Sequence, residues 1–132
     1  MGRYEEALTI YEESRMIKEA TLGKSHPDYA ITLNNIGLLY YSMGRYEEAL
    51  TIYEESRMIK EATLGKSHPD YATTLNNIGG VYDSMDRYEE ALTVYEECRV
   101  IQEATLGKSH PNYVKTCIII ERLQHNLKKP TS

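Results

Sequence analysis

The sequence predicts an all-α protein, a solenoid of about six helices in antiparallel pairs. Residues 1–42 and 43–84 are identical except at four positions, and residues 85–112 follow the same pattern. Within each copy, apolar residues recur at the three- and four-residue spacing of an amphipathic helix. A single helix pair cannot bury its apolar face alone, so repeated pairs must stack. The length of 132 residues suits one array over 1–132.

Helices are expected over about 2–22, 27–42, 45–64, 69–84, 87–106 and 111–127. The helix at 45–64 carries a stripe that should pack, made of Tyr46, Ala49, Leu50, Tyr53, Ser56 and Ile59. Glutamates lie mainly between these positions and should face water.

Each boundary has its own signal. Gly65 is a typical stop after a helix, and Pro69 fits the first turn of the next one. Either Ser67 or His68 can cap that next helix. Gly44 marks the stop between helices in the first copy, and in the third copy Asp86 either occupies the same turn or caps the following helix.

These residues resemble the tetratricopeptide repeat. The first copy supplies the pattern Leu33, Ile36, Gly37, Tyr40, Gly44, Tyr46, Ala49 and Tyr53. The 42-residue unit, with its LGKSHPDYATTLNNIG connection, is similar to the kinesin light chain variety of that repeat. The resemblance implies a right-handed superhelix whose A helices line a concave groove for a partner protein.

The repeat begins out of phase, because such repeats normally start with the Asn-bearing helix, called A, whereas this chain starts with the acidic helix, called B. Residues 1–22 are therefore a lone B helix, 23–64 and 65–106 are A/B pairs, 107–127 is an A-type capping helix and 128–132 is a tail. Met1 aligns with Met43 and Met85, as expected for a fragment of a longer array. The alternative is a short protein whose first helix is a cap.

One stripe of each A helix is separate from the packing stripe and should line the groove. Three of the four differences between the first two copies fall on it, as Ile31/Thr73, Leu38/Gly80 and Tyr41/Asp83. Variation is thus concentrated where a ligand would touch, although so few differences also fit chance. Gly80 either opens a pocket or reflects tolerated drift, since a glycine inside a helix costs about 1 kcal/mol against alanine.

The LNN motif places Asn34 and Asn76 on this stripe and Asn35 and Asn77 at its margin. An amide can both donate and accept, so it can hold a peptide backbone without selecting a side chain. The resemblance to kinesin light chains carries that role to all four asparagines. The alternative is that one asparagine of each pair binds a neighbouring repeat and holds the superhelix.

In the third A helix the groove positions include Lys115 and Arg122, and Asn-Asn becomes Ile118-Ile119. These isoleucines fit a terminal cap that packs differently, or else an exposed anchor for a partner. Lys115 and Arg122 could attract an acidic peptide.

Composition argues against other functions. The formal net charge is -5, which disfavours nucleic acid, and no apolar run is long enough to span a membrane. Cys98 and Cys117 are expected to be buried, reduced thiols, so a cytoplasmic location fits. Each of three histidines precedes a proline, which indicates loops, so no metal or other cofactor is expected. No catalytic motif is present, and an enzyme is not expected.

The sequence therefore predicts a protein–protein interaction scaffold that binds a peptide segment in its groove. The alternative is a structural spacer, or a segment that self-associates through the unpaired helix at 1–22.

Overall fold

The computed structural model describes residues 2–128, and within them it contains six helices and no strands. Their bounds are α1 Gly2–Leu22, α2 Pro27–Ser42, α3 Tyr46–Leu64, α4 Pro69–Ser84, α5 Tyr88–Leu106 and α6 Pro111–Lys128. The all-α prediction is confirmed, and every predicted helix boundary lies within one residue of the observed one. Lys128 ends α6, and the rest of the predicted tail lies outside the described residues, as does Met1.

Of the two predicted caps, serine or histidine, the structure has the histidine at the start of each A helix. In each loop the histidine Nδ1 accepts a hydrogen bond from the backbone N–H two residues later, at 3.1 Å. The capping residues are His26, His68 and His110. The following proline fits the first turn, where its missing N–H is not needed. Asp86 occupies the turn that Gly44 occupies in the first copy, with a φ of 60°, and its carboxylate also accepts from the Tyr88 hydroxyl at 3.0 Å.

The chain forms two compact units, one ending at Gly65 and the other starting at Lys66. Unit 1 contains α1–α3 and unit 2 contains α4–α6. Within each unit, every helix packs on the next one in sequence, and the short connections make these neighbours antiparallel.

A glycine on each A helix lets a tyrosine of the next B helix pack against the backbone. A Cβ on Gly37 would lie 2.7 Å from the Tyr53 ring, and one on Gly79 would lie 2.7 Å from the Tyr95 ring. Both tyrosines are buried. Of the packing stripe predicted on α3, Ala49, Leu50, Tyr53 and Ser56 are buried, whereas Tyr46 and Ile59 are half-buried.

Candidate functional site

The predicted groove stripe of α2 lies outside the core of unit 1. Ile31 and Leu38 are exposed, whereas Leu33 and Ile36 are completely buried. Two apolar side chains of this stripe are thus open to contact. Tyr41 is half-buried, and its ring lies 5.4 Å from that of Tyr46, so the stripe ends against the start of α3.

Asn34 holds α2 to α3. Its side-chain oxygen accepts a hydrogen bond from the Ser56 hydroxyl at 2.9 Å, and Ser56 is fully buried. This contact resembles the structural alternative for the LNN motif, although it joins α2 to its own B helix. Such a bond contributes about 1 kcal/mol to stability, more if its loss leaves a buried hydroxyl unpaired.

The second copy uses a different contact at the same place. Cys98 replaces Ser56, and its thiol donates to the backbone oxygen of Ala72 at 3.4 Å. Burial raises the pKa of Cys98 to about 11, so the group stays a neutral thiol. Asn76 therefore has no equivalent of the hydrogen bond that Asn34 accepts from Ser56. It is exposed, and among the described residues its amide has no hydrogen-bond partner.

Asn35 and Asn77 are half-buried at the margin of the stripe. Neither side chain makes a hydrogen bond within the described residues. Their predicted role, in ligand binding or in holding the repeats together, stays a prediction.

A polar cavity of about 230 Å³ lies in unit 2, where α4, α5 and α6 meet. Its lining comes from all three helices and comprises Thr73, Asn76, Gln102, Asn112, Lys115, Thr116 and Ile119. Thr73, Asn76 and Lys115 are predicted site residues, and the fold brings them together. The cavity therefore combines an exposed cation with several amide groups that can donate and accept.

Gln102 is the unusual member of this lining. It is buried, yet its side-chain oxygen has no hydrogen-bond partner among residues 2–128. At the same repeat position in unit 1, Lys18 donates from α1 to the Thr32 hydroxyl on α2 at 2.9 Å. In both units this hydroxyl donates to a backbone oxygen, Thr32 to Asp28 at 3.2 Å and Thr116 to Asn112 at 3.0 Å, so the contact that unit 2 lacks is the one from Lys18. A buried acceptor without a donor is costly, so it favours a ligand that supplies one.

Arg122 and Asp83 are brought together outside this cavity. The guanidinium contacts both carboxylate oxygens of Asp83, at 3.4 and 2.5 Å, and this pair joins α6 to α4. The hydrogen bond to Asp83 raises the pKa of Arg122 further. These two predicted site residues therefore neutralise each other, which leaves Lys115 as the cation of the cavity.

Gly80 lines neither the α4–α6 cavity nor the contact between Arg122 and Asp83. A Cβ added there would meet only the Tyr95 hydroxyl, at an ordinary 3.7 Å. No neighbouring atom lies too close for a side chain at this position. The packing of α4 therefore does not require a glycine here.

The two isoleucines of the third A helix, Ile118 and Ile119, differ in exposure. Ile119 is half-buried and packs on the cluster of Ile120 and Leu123, whereas Ile118 is exposed. Both interpretations of these isoleucines, a terminal cap and an anchor for a partner, stay predictions. The expectation that Cys117 is buried is wrong, since it is half-buried. No described helix covers that side of α6.

Sequence reasoning missed three cavity residues, Gln102, Asn112 and Thr116, and it considered Ile119 only as part of a cap or an anchor. A signal for the first was available, because Gln102 stands where the first two copies have Lys18 and Lys60.

Among residues 2–128, no helix is long and apolar enough to cross a membrane. No group of three or more histidine, cysteine, aspartate or glutamate side chains within them could hold a metal ion.

Comparison with known proteins identifies the class of this helical repeat. The tetratricopeptide repeat profile matches residues 1–62, 40–104 and 70–116, so the chain belongs to the tetratricopeptide repeat family. Repeats of this family generally mediate protein–protein interaction. Within the family, the array is of the kinesin light chain type, as the solved structures similar to it indicate.

Three solved structures are similar over almost the whole chain. BtubC (BKLC) from P. vanneervenii is 21% identical, with a TM-score of 0.87 over 96% of this chain and 50% of its own. The nearly identical TPR-like repeats of a kinesin light chain-like protein from Podosopora anserina are 25% identical, with a TM-score of 0.85 over 96% of this chain and 61% of theirs. A point variant of those repeats is 24% identical, with a TM-score of 0.82 over 92% of this chain and 57% of its own.

The chain thus spans 50% to 61% of the length of these structures. No curated protein matches it.

Proposed function

We propose that this chain is a protein-interaction module that holds an extended or short helical segment of a partner protein along the exposed stripes of its A helices. The observation that carries the proposal is the cavity lined by Asn76 and Lys115. The chain acts as an adaptor without catalytic activity, in the cytoplasm. Scaffolding without catalysis is typical of this repeat family.

The chemistry of the cavity fits a peptide. A peptide backbone offers an N–H and a carbonyl at each residue, and amides such as Asn76 and Asn112 can pair with either. Gln102 needs a donor, which a backbone N–H supplies. Lys115 favours a segment with a carboxylate next to the contact.

Under this proposal the asparagines of the two LNN copies have different roles. Asn34 serves mainly the structure, because Ser56 uses its side-chain oxygen. Asn76 serves the ligand, because Cys98 turns to Ala72 and leaves the amide open. Asn35 and Asn77 contribute from the margin of each stripe.

The other stripe positions supply shape and apolar contact. Ile31 and Leu38 are exposed on α2 and can take an apolar side chain of the partner, with Tyr41 beside them. On α4 the corresponding residues are Thr73, Gly80 and Asp83, so the second stripe is more polar. Arg122 joins α6 to α4 through its pair with Asp83. The net charge of -5 supports a protein partner over nucleic acid.

Selection from a random peptide library tests the proposal. The native chain should enrich a motif, and Asn76→Ala and Lys115→Ala should each weaken its binding about fivefold or more, corresponding to about 1 kcal/mol. Lys108→Ala is the matched control, because Lys108 is an exposed lysine outside the cavity lining. Circular dichroism checks that all variants remain folded. Equal affinity of the native chain and both cavity variants would falsify the assignment of this cavity.

A further inference from the structure

Gln102 departs from the repeat at a position that lies inside the protein. The first two copies have Lys18 and Lys60 there, and Lys60 and Gln102 are each 7% exposed. In unit 1 the lysine reaches from one helix to the next, since the Lys18 Nζ donates to the Thr32 hydroxyl at 2.9 Å. A glutamine side chain is shorter than a lysine side chain and carries no charge. The exchange therefore shortens an inward-facing side chain and removes a cation.

This exchange coincides with the polar cavity of unit 2. Gln102 lines the cavity of about 230 Å³ together with Thr116, which is the equivalent of Thr32. Within residues 2–128 no hydrogen bond joins Gln102 to Thr116, and the Gln102 side-chain oxygen has no donor. The shorter side chain thus leaves both a space and an unpaired polar group, at the position where a lysine joins two helices of unit 1.

The acceptors of this cavity need a ligand that brings N–H groups. The Thr73 hydroxyl already donates its proton to the backbone oxygen of Pro69 at 3.2 Å. A hydroxyl has a single proton, so the Thr73 oxygen can only accept a further hydrogen bond. The buried oxygen of Gln102 also requires a donor, and leaving it unpaired is costly. Two positions of the lining therefore favour a donor on the ligand.

The charge of the cavity excludes the simplest donor, which is a cation. Among the described residues of the lining, Lys115 is the one charged group and none is a carboxylate. A lysine or arginine of the partner would meet this exposed cation with no nearby carboxylate of the lining to balance it. A carboxylate of the partner would suit Lys115 but would bring no N–H to Gln102. The lining thus requires an acceptor and a donor on the same neutral group.

We propose that the cavity takes the side-chain carboxamide of an asparagine or glutamine of the partner, and that Gln102 determines this specificity. The inference rests on the proposed function, because the same cavity is the binding site there. A carboxamide has an oxygen that can accept from Lys115 and two N–H groups that can donate to Gln102 and Thr73. The amides of Asn76 and Asn112 can donate or accept, so they fit either end of the group.

Titration of the isotope-labelled chain with three capped amino acids, followed by NMR, tests the proposal. The probes are the N-acetyl, N-methylamide derivatives of glutamine, glutamate and alanine, which differ only in the side chain. The glutamine derivative should shift the side-chain NH₂ signals of Gln102, Asn76 and Asn112. It should also bind about tenfold more tightly than the other two, because only its side chain pairs with both Lys115 and Gln102.

Two variants of Gln102 separate its chemistry from its size. Gln102→Met keeps a similar length but removes the acceptor, so the glutamate derivative, which still pairs with Lys115, should bind at least as tightly as the glutamine derivative. Gln102→Lys restores the residue of the first two copies, and its ammonium group should reach Thr116, fill the cavity and weaken binding about tenfold or more. Ala104→Lys is the matched control, because it adds the same charge to α5 at an exposed position outside the lining. Circular dichroism checks that all three variants are folded.

Three results would overturn the proposal: tighter binding of the glutamate derivative to the native chain, an unchanged preference in Gln102→Met, or no shift of the lining signals with any probe. Selection from the peptide library separates this inference from the proposed function. Selected peptides that depend on Asn76 and Lys115 but are anchored by an acidic residue would support the proposed function and refute the carboxamide. A failed selection, with the glutamine derivative bound in the cavity, would do the reverse.

Discussion

Replacing Gly79 and Gly80 by alanine, one at a time, should move stability in opposite directions. Both lie inside α4, where alanine is favoured over glycine by about 1 kcal/mol. At Gly80 the new methyl group meets the Tyr95 hydroxyl at an ordinary 3.7 Å, so this gain is kept. At Gly79 the methyl group would lie 2.7 and 2.8 Å from two Tyr95 ring carbons.

Carbon atoms normally approach to about 3.5–4.0 Å, so the Tyr95 ring must move by about 1 Å. The ring is buried and cannot move freely. Overpacking of this kind costs about 1–3 kcal/mol. Because the gain in helix propensity is common to both variants, the difference between their free energies of unfolding isolates that packing cost.

Urea unfolding followed by circular dichroism measures the difference. Gly80→Ala should raise the free energy of unfolding by about 0.5–1 kcal/mol, and Gly79→Ala should fall below Gly80→Ala by about 1–3 kcal/mol. Gly37→Ala repeats the test against Tyr53 in unit 1, with the same 2.7 Å approach. If Gly79→Ala and Gly80→Ala stabilise the protein equally, the interlock between glycine and tyrosine contributes nothing and the reasoning is refuted.

Asn34→Ala should lower the free energy of unfolding by about 1 kcal/mol because it leaves the buried Ser56 hydroxyl unpaired, whereas Asn76→Ala should change it by less than about 0.5 kcal/mol; equal effects in urea unfolding would contradict the division between the two copies. Only Cys117 should react with a thiol reagent at pH 8 in the native chain, and both cysteines should react after unfolding. Because the pKa of Cys98 is raised from 9 to about 11, its contribution to stability is full below pH 9 and is lost as the pH rises toward 11. Cys98→Ser should reduce this loss in urea titrations, and an unchanged pH profile would count against it.

The helices could be predicted because each boundary signal occurs in more than one copy. The loop from Gly65 to Pro69 repeats the loop from Gly23 to Pro27, and both define the same helix start. The packing stripe could also be predicted, since Leu33, Ile36 and their equivalents recur with a helical period. These features depend on residues close together in sequence.

The contacts of the candidate site could not be predicted from the sequence as well as the helices could. The bond between Asn34 and Ser56 joins residues on different helices, and its existence depends on how the two helices pack. The pair of Asp83 and Arg122 spans 39 residues for the same reason. Cys117 was expected to be buried because its equivalents Leu33 and Leu75 are, yet burial also requires a covering neighbour. Such pairings follow from tertiary geometry and not from a local pattern.

Within each unit, every helix packs on the helix next to it in sequence. A whole 42-residue repeat contains its own histidine cap, its own glycine and the tyrosine that packs on that glycine. A duplicated repeat can therefore join the array without new contacts having to evolve. A few later substitutions, such as the four that distinguish 1–42 from 43–84, then suffice to give it a different surface.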